Sequence, residues 1–356
     1  MRICYLNLSP TSYVANLPAR DAVYLRGLKE NGVEILECRD NSPGFVKFIN
    51  LYKKHKALRG KYDVMFVGHT AYILVPFARL ITRKKIVFNA LCSLYEGIVI
   101  AREKGTWFSF RGLHAWLIDF IAFNSAHLNL LESEEQVKFV SDRFFVPRKK
   151  LLRAWTGVDD YLFYTDPNVR KLPIFTVLFR GAFLPESGVE YAIDAAKILK
   201  RHTINLRIIG RNIGSLVPLM EKKIGESDSS NVEWIKGKKM PFEDLRRNMQ
   251  ECHISLGQLS DHDRLNRTIP HKAFESIAMK IPYLTARNKA VLELLKEDET
   301  CFCCNPADPE DLAKKILELR DNPEIMSGVA ENAYQLYTRE LTPKILAKKI
   351  LDAINN

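Results

Sequence analysis

The chain of 356 residues is long enough for two domains of ordinary size, and its 47% hydrophobic and 27% charged content is that of a globular protein. No run approaches the roughly 20 apolar residues of a membrane-spanning helix. "MRICYLNLS" lacks the apolar core and cleavage site of a signal peptide, and seven scattered cysteines, an odd number, argue against a disulfide framework and for a reducing cytoplasm. The net charge of +11 is unevenly placed: residues 1–160 hold 24 Lys and Arg against 15 Asp and Glu, the remainder 29 against 27. The basic half could meet nucleic acid, an anionic membrane surface or a phosphorylated substrate.

In chain order, "RICYLNLS" reads as a strand, "ARDAVYLRGLKENG" as a helix closing on Gly32, and "VEILEC" as the next strand. A basic amphipathic helix is expected over 45–62, with Phe45, Phe48, Ile49 and Tyr52 on one face and Lys53, Lys54, Lys56 and Arg59 near its end. "YDVMFVGH" and "KKIVFNAL" are strands around the helix "LVPFARLITR", and the long helix "FSFRGLHAWLIDFIAFNSA" precedes the strand "HLNLLES". The polar, proline-bearing stretch 157–173 breaks the pattern, which then resumes with "FTVLFRG", "GVEYAIDAAKILKR" and "INLRIIG". "VEWIKG", "HISLGQ", "PYLTA" and the cysteine-bearing "TCFCC" complete the strands, and "PKILAKKILDAIN" is an amphipathic helix at the end. Strand and helix alternating in this way predict an α/β chain of two Rossmann-like, doubly wound parallel sheets facing a cleft. The expected division is a first domain over 1–160, a hinge over 161–173, a second domain over 174–335 and a C-terminal helix within 336–356 that packs back toward the first.

Within "LNRTIPHKAFESIAMKIPYL", Pro270 stands at a helix start, Ala273, Phe274, Ile277 and Ala278 recur at helical spacing, and Pro282 ends the helix. Glu275 lies in the middle of this apolar helix, where a carboxylate needs a partner. Thr268, His271 and Lys272 cluster at its N-terminus, where free N–H groups favour phosphate.

Several segments of the second half resemble the retaining glycosyltransferase family four of the GT-B fold. They are "LLRAWTGVDDYLF", "VLFRGAFLPESGVEYAIDAAKIL", "LRIIG", "VEWIKGKKMPFEDLRRNMQECHISL", "HKAFESIAMKIPYL" and "FCCNPADPEDLAKKILELRDNPE", in the family's order. "VFNALCSLYEG" and "LIDFIAFNSAHLNLLES" add to this in the first half. The resemblance implies a nucleotide-diphosphate-sugar donor, an acceptor hydroxyl and transfer with retention, with no separate cofactor. It also implies that Glu275 accepts hydrogen bonds from the donor's ribose hydroxyls, as one carboxylate can from two vicinal donors.

The sequence departs from that family in ways that bear on chemistry. The family's first glutamate stands eight positions before the second, and here that position is Arg267. The cations expected in the loop after the first strand are replaced by Gly181–Ala182 and Ser187–Gly188. Arg180, Lys272 and Arg267 are then the expected partners of the departing diphosphate, with Gly181, Gly210 and Arg211 lining the same site. Lys280 stands where the family ends its helix with glycine.

The first domain is expected to hold a glycan or lipid-linked acceptor, with Asn16, His69, Ser93, Glu96 and Arg102 on the cleft side. The 45–62 helix and "RLITRKK" would either meet an anionic membrane surface, making the protein peripheral on the inner face of the cell membrane, or pack on the core. No nucleic-acid module, no G-x-G-x-x-G after the first strand and no metal-ligand spacing is seen. A non-catalytic sugar-nucleotide or glycan binding protein on the same fold remains the alternative.

Overall fold

A computed structural model describes residues 1–8, 19–102, 105–210, 214, 216–225, 229–236 and 240–355. The chain divides into two compact units, Met1–Asp159 with Leu341–Asn356, and Asp160–Glu340.

The first unit runs β1 (Arg2–Asn7), α1 (Ala19–Glu30), β2 (Glu34–Arg39), α2 (Val46–Leu58), β3 (Val64–Val67), α3 (Leu74–Ile81), β4 (Lys85–Leu91), α4 (Phe110–Ser125), β5 (Leu128–Leu131), α5 (Glu134–Phe144) and β6 (Leu151–Arg153). Its six strands are parallel in the order β2-β1-β3-β4-β5-β6. β1, β3 and β4 are buried almost end to end, as strands covered on both faces must be, which is why they read as unbroken apolar runs. The order reverses between β1 and β3. Right-handed crossovers therefore put α1 on one face of the sheet and α2 to α5 on the other. The core agrees: Leu51, Val75, Ala122 and Val140, from α2 to α5, belong to one buried cluster.

The second unit runs β7 (Thr176–Arg180), α6 (Val189–Leu199), β8 (Asn205–Gly210), α7 (Val217–Gly225), β9 (Val232–Lys236), α8 (Phe242–Glu251), β10 (Ile254–Leu256), α9 (His271–Ala278), β11 (Tyr283–Ala286), α10 (Lys289–Leu294), β12 (Phe302–Cys304), α11 (Pro309–Asp321) and α12 (Pro323–Glu340). Again the six strands are parallel, in the order β12-β11-β10-β7-β8-β9. Here the order reverses between β7 and β10, so the crevice at their carboxyl ends is the place where such sheets hold ligands. The cysteines of β12 are buried in the sheet, small apolar side chains rather than ligands.

Residues 161–173 lie within the second unit, and 336–356 contains the end of α12, a turn, and α13 (Pro343–Asn355). α13 belongs to the first unit, where it packs along α1. Among the described residues no helix is long and apolar enough to cross a membrane.

Local signals account for the ends of these helices. Ser133 accepts from Gln136 N ahead of α5, whose first turn holds Glu134 and Glu135, and Asp308 caps α11 by accepting from Glu310 N and Asp311 N. α9 closes differently: Lys280 sits at φ +55°, Lys280 N donates to Ile277 O and Ile281 N to Ser276 O. This left-handed cap is usually glycine's, so a lysine holds a backbone conformation it does not favour.

Candidate functional site

The second unit gathers charge at its strand reversal. Arg180 ends β7, and its guanidinium is ion-paired with the carboxylate of Glu275 in the second turn of α9. Lys272, one turn earlier on the same helix, is buried; its Nζ donates to Gly257 O just beyond β10 at 2.7 Å and lies 4.0 Å from the centre of the Phe179 ring of β7. Burial, reinforced by the neighbouring Arg180, holds the Lys272 ammonium well below its ordinary range, while Glu275 acts the other way. A helix that reads as plainly apolar thus presents one acid and one buried base to the ends of the two strands between which the sheet reverses.

Glycines give the loops around this cluster their shape. Gly181 takes φ +150°, and its N–H donates to Ile209 O, while a side chain on Gly210 would meet the Phe183 ring at 2.6 Å and Gly181 O at 2.9 Å. Gly188, at φ +66°, starts α6 with the backbone of Leu259 and Ser260 pressed against it. Beside it the buried Glu186 receives Arg264 Nη1 at 3.1 Å. Sequence reading did not find this pair, because its members stand 78 residues apart and each reads as a loop charge.

Of the residues expected at the diphosphate, Arg180 and Lys272 come together with Glu275. Arg267 pairs with Asp263, Nη2 to Oδ2 at 2.7 Å, an ion pair that holds the Asp263 carboxyl below its usual range. Thr268 and His271 are half-buried at the entry to α9, Gly181 follows β7, Gly210 ends β8, and Arg211 lies outside the described residues. Among the described residues no group of three or more His, Cys, Asp or Glu is placed to hold a metal ion.

In the first unit the residues at the carboxyl ends of β1, β3 and β4 meet at Asp21, a fully buried acid in the first turn of α1 that sequence reading missed. Its carboxylate accepts from Tyr5 Oη at 2.6 Å, Asn7 Nδ2 at 2.9 Å, Asn89 Nδ2 at 2.6 Å and the backbone N–H of His69 at 3.0 Å. Burial pushes this carboxyl up, and the donors around it act against that rise. His69 Nδ1 stands 3.1 Å from Ala90 O. A carbonyl only accepts, so Nδ1 carries a proton, and in the neutral ring Nε2 would be the acceptor nitrogen. Ser93 is buried and its hydroxyl accepts from Glu96 N, the role of a turn cap; Glu96 is buried, Arg102 is exposed, and Asn16 lies outside the described residues.

Comparison with known proteins gives this arrangement a context. Residues 166–336 match the family described as glycosyl transferases group 1. An uncharacterized glycosyltransferase of Methanocaldococcus jannaschii is 29% identical over 155 residues, 44% of this chain and 41% of that one. The alpha-D-kanosaminyltransferase of Streptomyces kanamyceticus is 28% identical over 193 residues, 53% of this chain and 44% of that one. Each match spans less than half of the relative's length. Among solved structures, Anabaena HepE in complex with UDP and glucose is similar with a TM-score of 0.74 at 15% identity, over 100% of this chain and 99% of that one. Sucrose-phosphate synthase from Thermosynechococcus elongatus gives 0.77 at 13% identity, over 100% and 98%. The match to the group 1 glycosyl transferases thus lies over the second unit, residues 166–336, and the chain has the GT-B architecture of two parallel-sheet units.

Proposed function

We propose that the protein transfers a hexose-type sugar from a nucleoside diphosphate donor, UDP being the first to test, to an acceptor hydroxyl with retention at the anomeric carbon, as in family four of these enzymes. The observation that carries this reading is the meeting of Glu275, Arg180 and Lys272 at the β7–β10 reversal. Glu275 would accept from the ribose hydroxyls, and Arg180 and Lys272 would face the diphosphate. The bond from the anomeric carbon to the diphosphate oxygen breaks with its electron pair on the leaving group, and the two cations offset that charge. The acceptor oxygen then bonds to the same carbon and gives up its proton. The complexes of HepE with UDP, with UDP-glucose and with UDP and glucose support a uridine donor by analogy.

The acceptor under this reading is a glycan or lipid-linked saccharide precursor handled by the basic first unit. His69, with Nε2 as its acceptor nitrogen, is the residue of that unit best suited to receive a hydroxyl proton. A second reading, a protein that binds sugar nucleotides or glycans without turnover, has one observation in its favour. Arg267 replaces the family's first glutamate and is tied to Asp263. Release of UDP from UDP-glucose, with water or a saccharide as acceptor, separates the two: transfer or hydrolysis lost in Glu275→Ala supports the enzyme, whereas tight binding with no release supports the binder.

A further inference from the structure

Asp21 is an acid kept where an acid is costly. Of its partners, the amides of Asn7 and Asn89 and the N–H of His69 can only donate, so the carboxylate serves as an acceptor on several sides at once. The Asn89 amide is fixed from both ends: Nδ2 meets Asp21, and Oδ1 accepts from Nε of the buried Arg20 at 2.7 Å. Both oxygens of Asp21 lie 3.0 Å from His69 N. The acid therefore holds the turn that follows β3 by the backbone of His69.

The chain makes room for this contact. A side chain on Gly68 would lie 2.2 Å from Asn7 Nδ2, 2.6 Å from Asp21 Oδ2 and 2.8 Å from Tyr5 Oη, so glycine is what lets the turn come this close. Two residues without glycine's freedom, Thr70 at φ +66° and Leu91 at φ +69°, hold a left-handed backbone nonetheless. Each directly follows a group of the same contact. Thr70 follows His69, and Leu91 follows Ala90, whose carbonyl meets His69 Nδ1 at 3.1 Å. Between Phe88 and Leu91 the register of β4 against β5 also shifts, as at bulges where a strand re-aims its groups. His69 itself is half-buried. A histidine kept for packing alone would need neither a buried acid on its backbone nor unfavourable backbone beside both of its contacts.

We infer that Asp21 is a positioning residue for transfer: through the His69 backbone it sets the imidazole with Nδ1–H on Ala90 O, so that Nε2 meets the acceptor hydroxyl. The inference rests on the reading of His69 as the group that receives the hydroxyl proton. As the acceptor oxygen bonds to the anomeric carbon, its proton passes to Nε2, and the imidazolium then returns it to water. The test pairs heteronuclear NMR of the histidine ring nitrogens, at a pH where His69 is neutral, with release of UDP from UDP-glucose. The His69 signals are assigned by their loss in His69→Gln, and the native ring should be a single tautomer protonated on Nδ1. Asp21→Asn sets an amide against the Asn89 amide. It should mix the tautomers and lower kcat about tenfold or more, a part of the roughly 10²–10⁴ that a general base contributes, with KM for UDP-glucose unchanged. Adding Asn89→Asp trades carboxylate and amide across their 2.6 Å bond and should restore both readings. Gly68→Ala, which pushes the turn off the acid without removing it, should reproduce the tautomer change. A native ring protonated on Nε2 overturns the inference even if no variant folds. So does an Asp21→Asn protein that loses kcat or melting temperature while its His69 signals stay as they were. A native chain with no turnover overturns the transfer reading and this role with it, whereas turnover that Asp21→Asn leaves intact overturns this role alone.

Discussion

Arg180 and Glu275 are ion-paired with each other. The residue assigned to the phosphates thus occupies the carboxylate assigned to the ribose, across 95 residues of sequence. Donor binding would have to share or break this pair. Removing Arg180 would free the carboxylate and remove a phosphate cation at once, so its effects on two ligands should diverge. Arg180→Met is expected to weaken the nucleoside diphosphate about tenfold or more while leaving the parent nucleoside's affinity unchanged or raised. Calorimetric titration of both ligands checks this; equal losses for both would place Arg180 outside the phosphate site.

Lys272 is the residue at which stability and binding should part. Its amine is buried, and burial lowers its folded pKa well below 10.5. Between that lowered value and 10.5 the unfolded chain binds the extra proton, so stability should rise with pH across this window. Lys272→Met keeps the stem and removes the charge. It should melt no lower than the native protein near neutrality, flatten that rise with pH and lose nucleoside diphosphate affinity. Melting curves across pH on both proteins measure it, and a variant that melts well below the native protein would contradict the burial argument.

Gly188→Ala is expected to destabilise the second unit by about 2 kcal/mol or more, since a side chain there meets both a left-handed backbone and the backbone of the Leu259–Ser260 loop. Leu259 Cα would lie 2.9 Å from the added carbon. Thermal or urea unfolding of the full chain reads the loss, and a change within a few tenths of a kcal/mol would mean that the loop moves freely aside.

Glu186 and Arg264 should couple. Removing the guanidinium leaves a buried carboxylate, so Arg264→Ala is expected to cost about 2–4 kcal/mol, and the double variant with Glu186→Ala should cost less than the two single changes added together. A double-mutant cycle by urea unfolding tests this, and strict additivity would show that the pair is incidental.

Much of the layout was open to sequence reasoning because parallel strands buried on both faces leave unbroken apolar runs, as in "KIVFNAL" and "TVLFR". The faces of α2 were not. Phe45, Phe48, Ile49 and Tyr52 read as the apolar stripe, yet the side that packs holds Leu51 and His55, with Phe48 half-buried, and Phe45, Ile49 and Tyr52 stay exposed. His55 hides that face from a hydropathy reading, being buried by virtue of a 2.7 Å hydrogen bond with Tyr62 Oη. Glu275 could be singled out because an acid in an apolar helix needs a partner. That the partner is Arg180, that Lys272 is buried over Phe179, and that Asp21 gathers the ends of three strands all depend on contacts between distant residues, which spacing along the chain does not record.

The central claim is that the β7–β10 reversal holds a nucleoside diphosphate sugar through Glu275. Its most direct test is calorimetric titration of UDP, GDP and their sugar conjugates into the native protein and Glu275→Ala. One nucleotide should bind the native chain, and the variant should bind it about tenfold or more weakly, the worth of a carboxylate hydrogen-bonded to two hydroxyls. No binding by the native chain, or equal binding by the variant, would mean that Glu275 is there to neutralise Arg180 and that the donor site lies elsewhere.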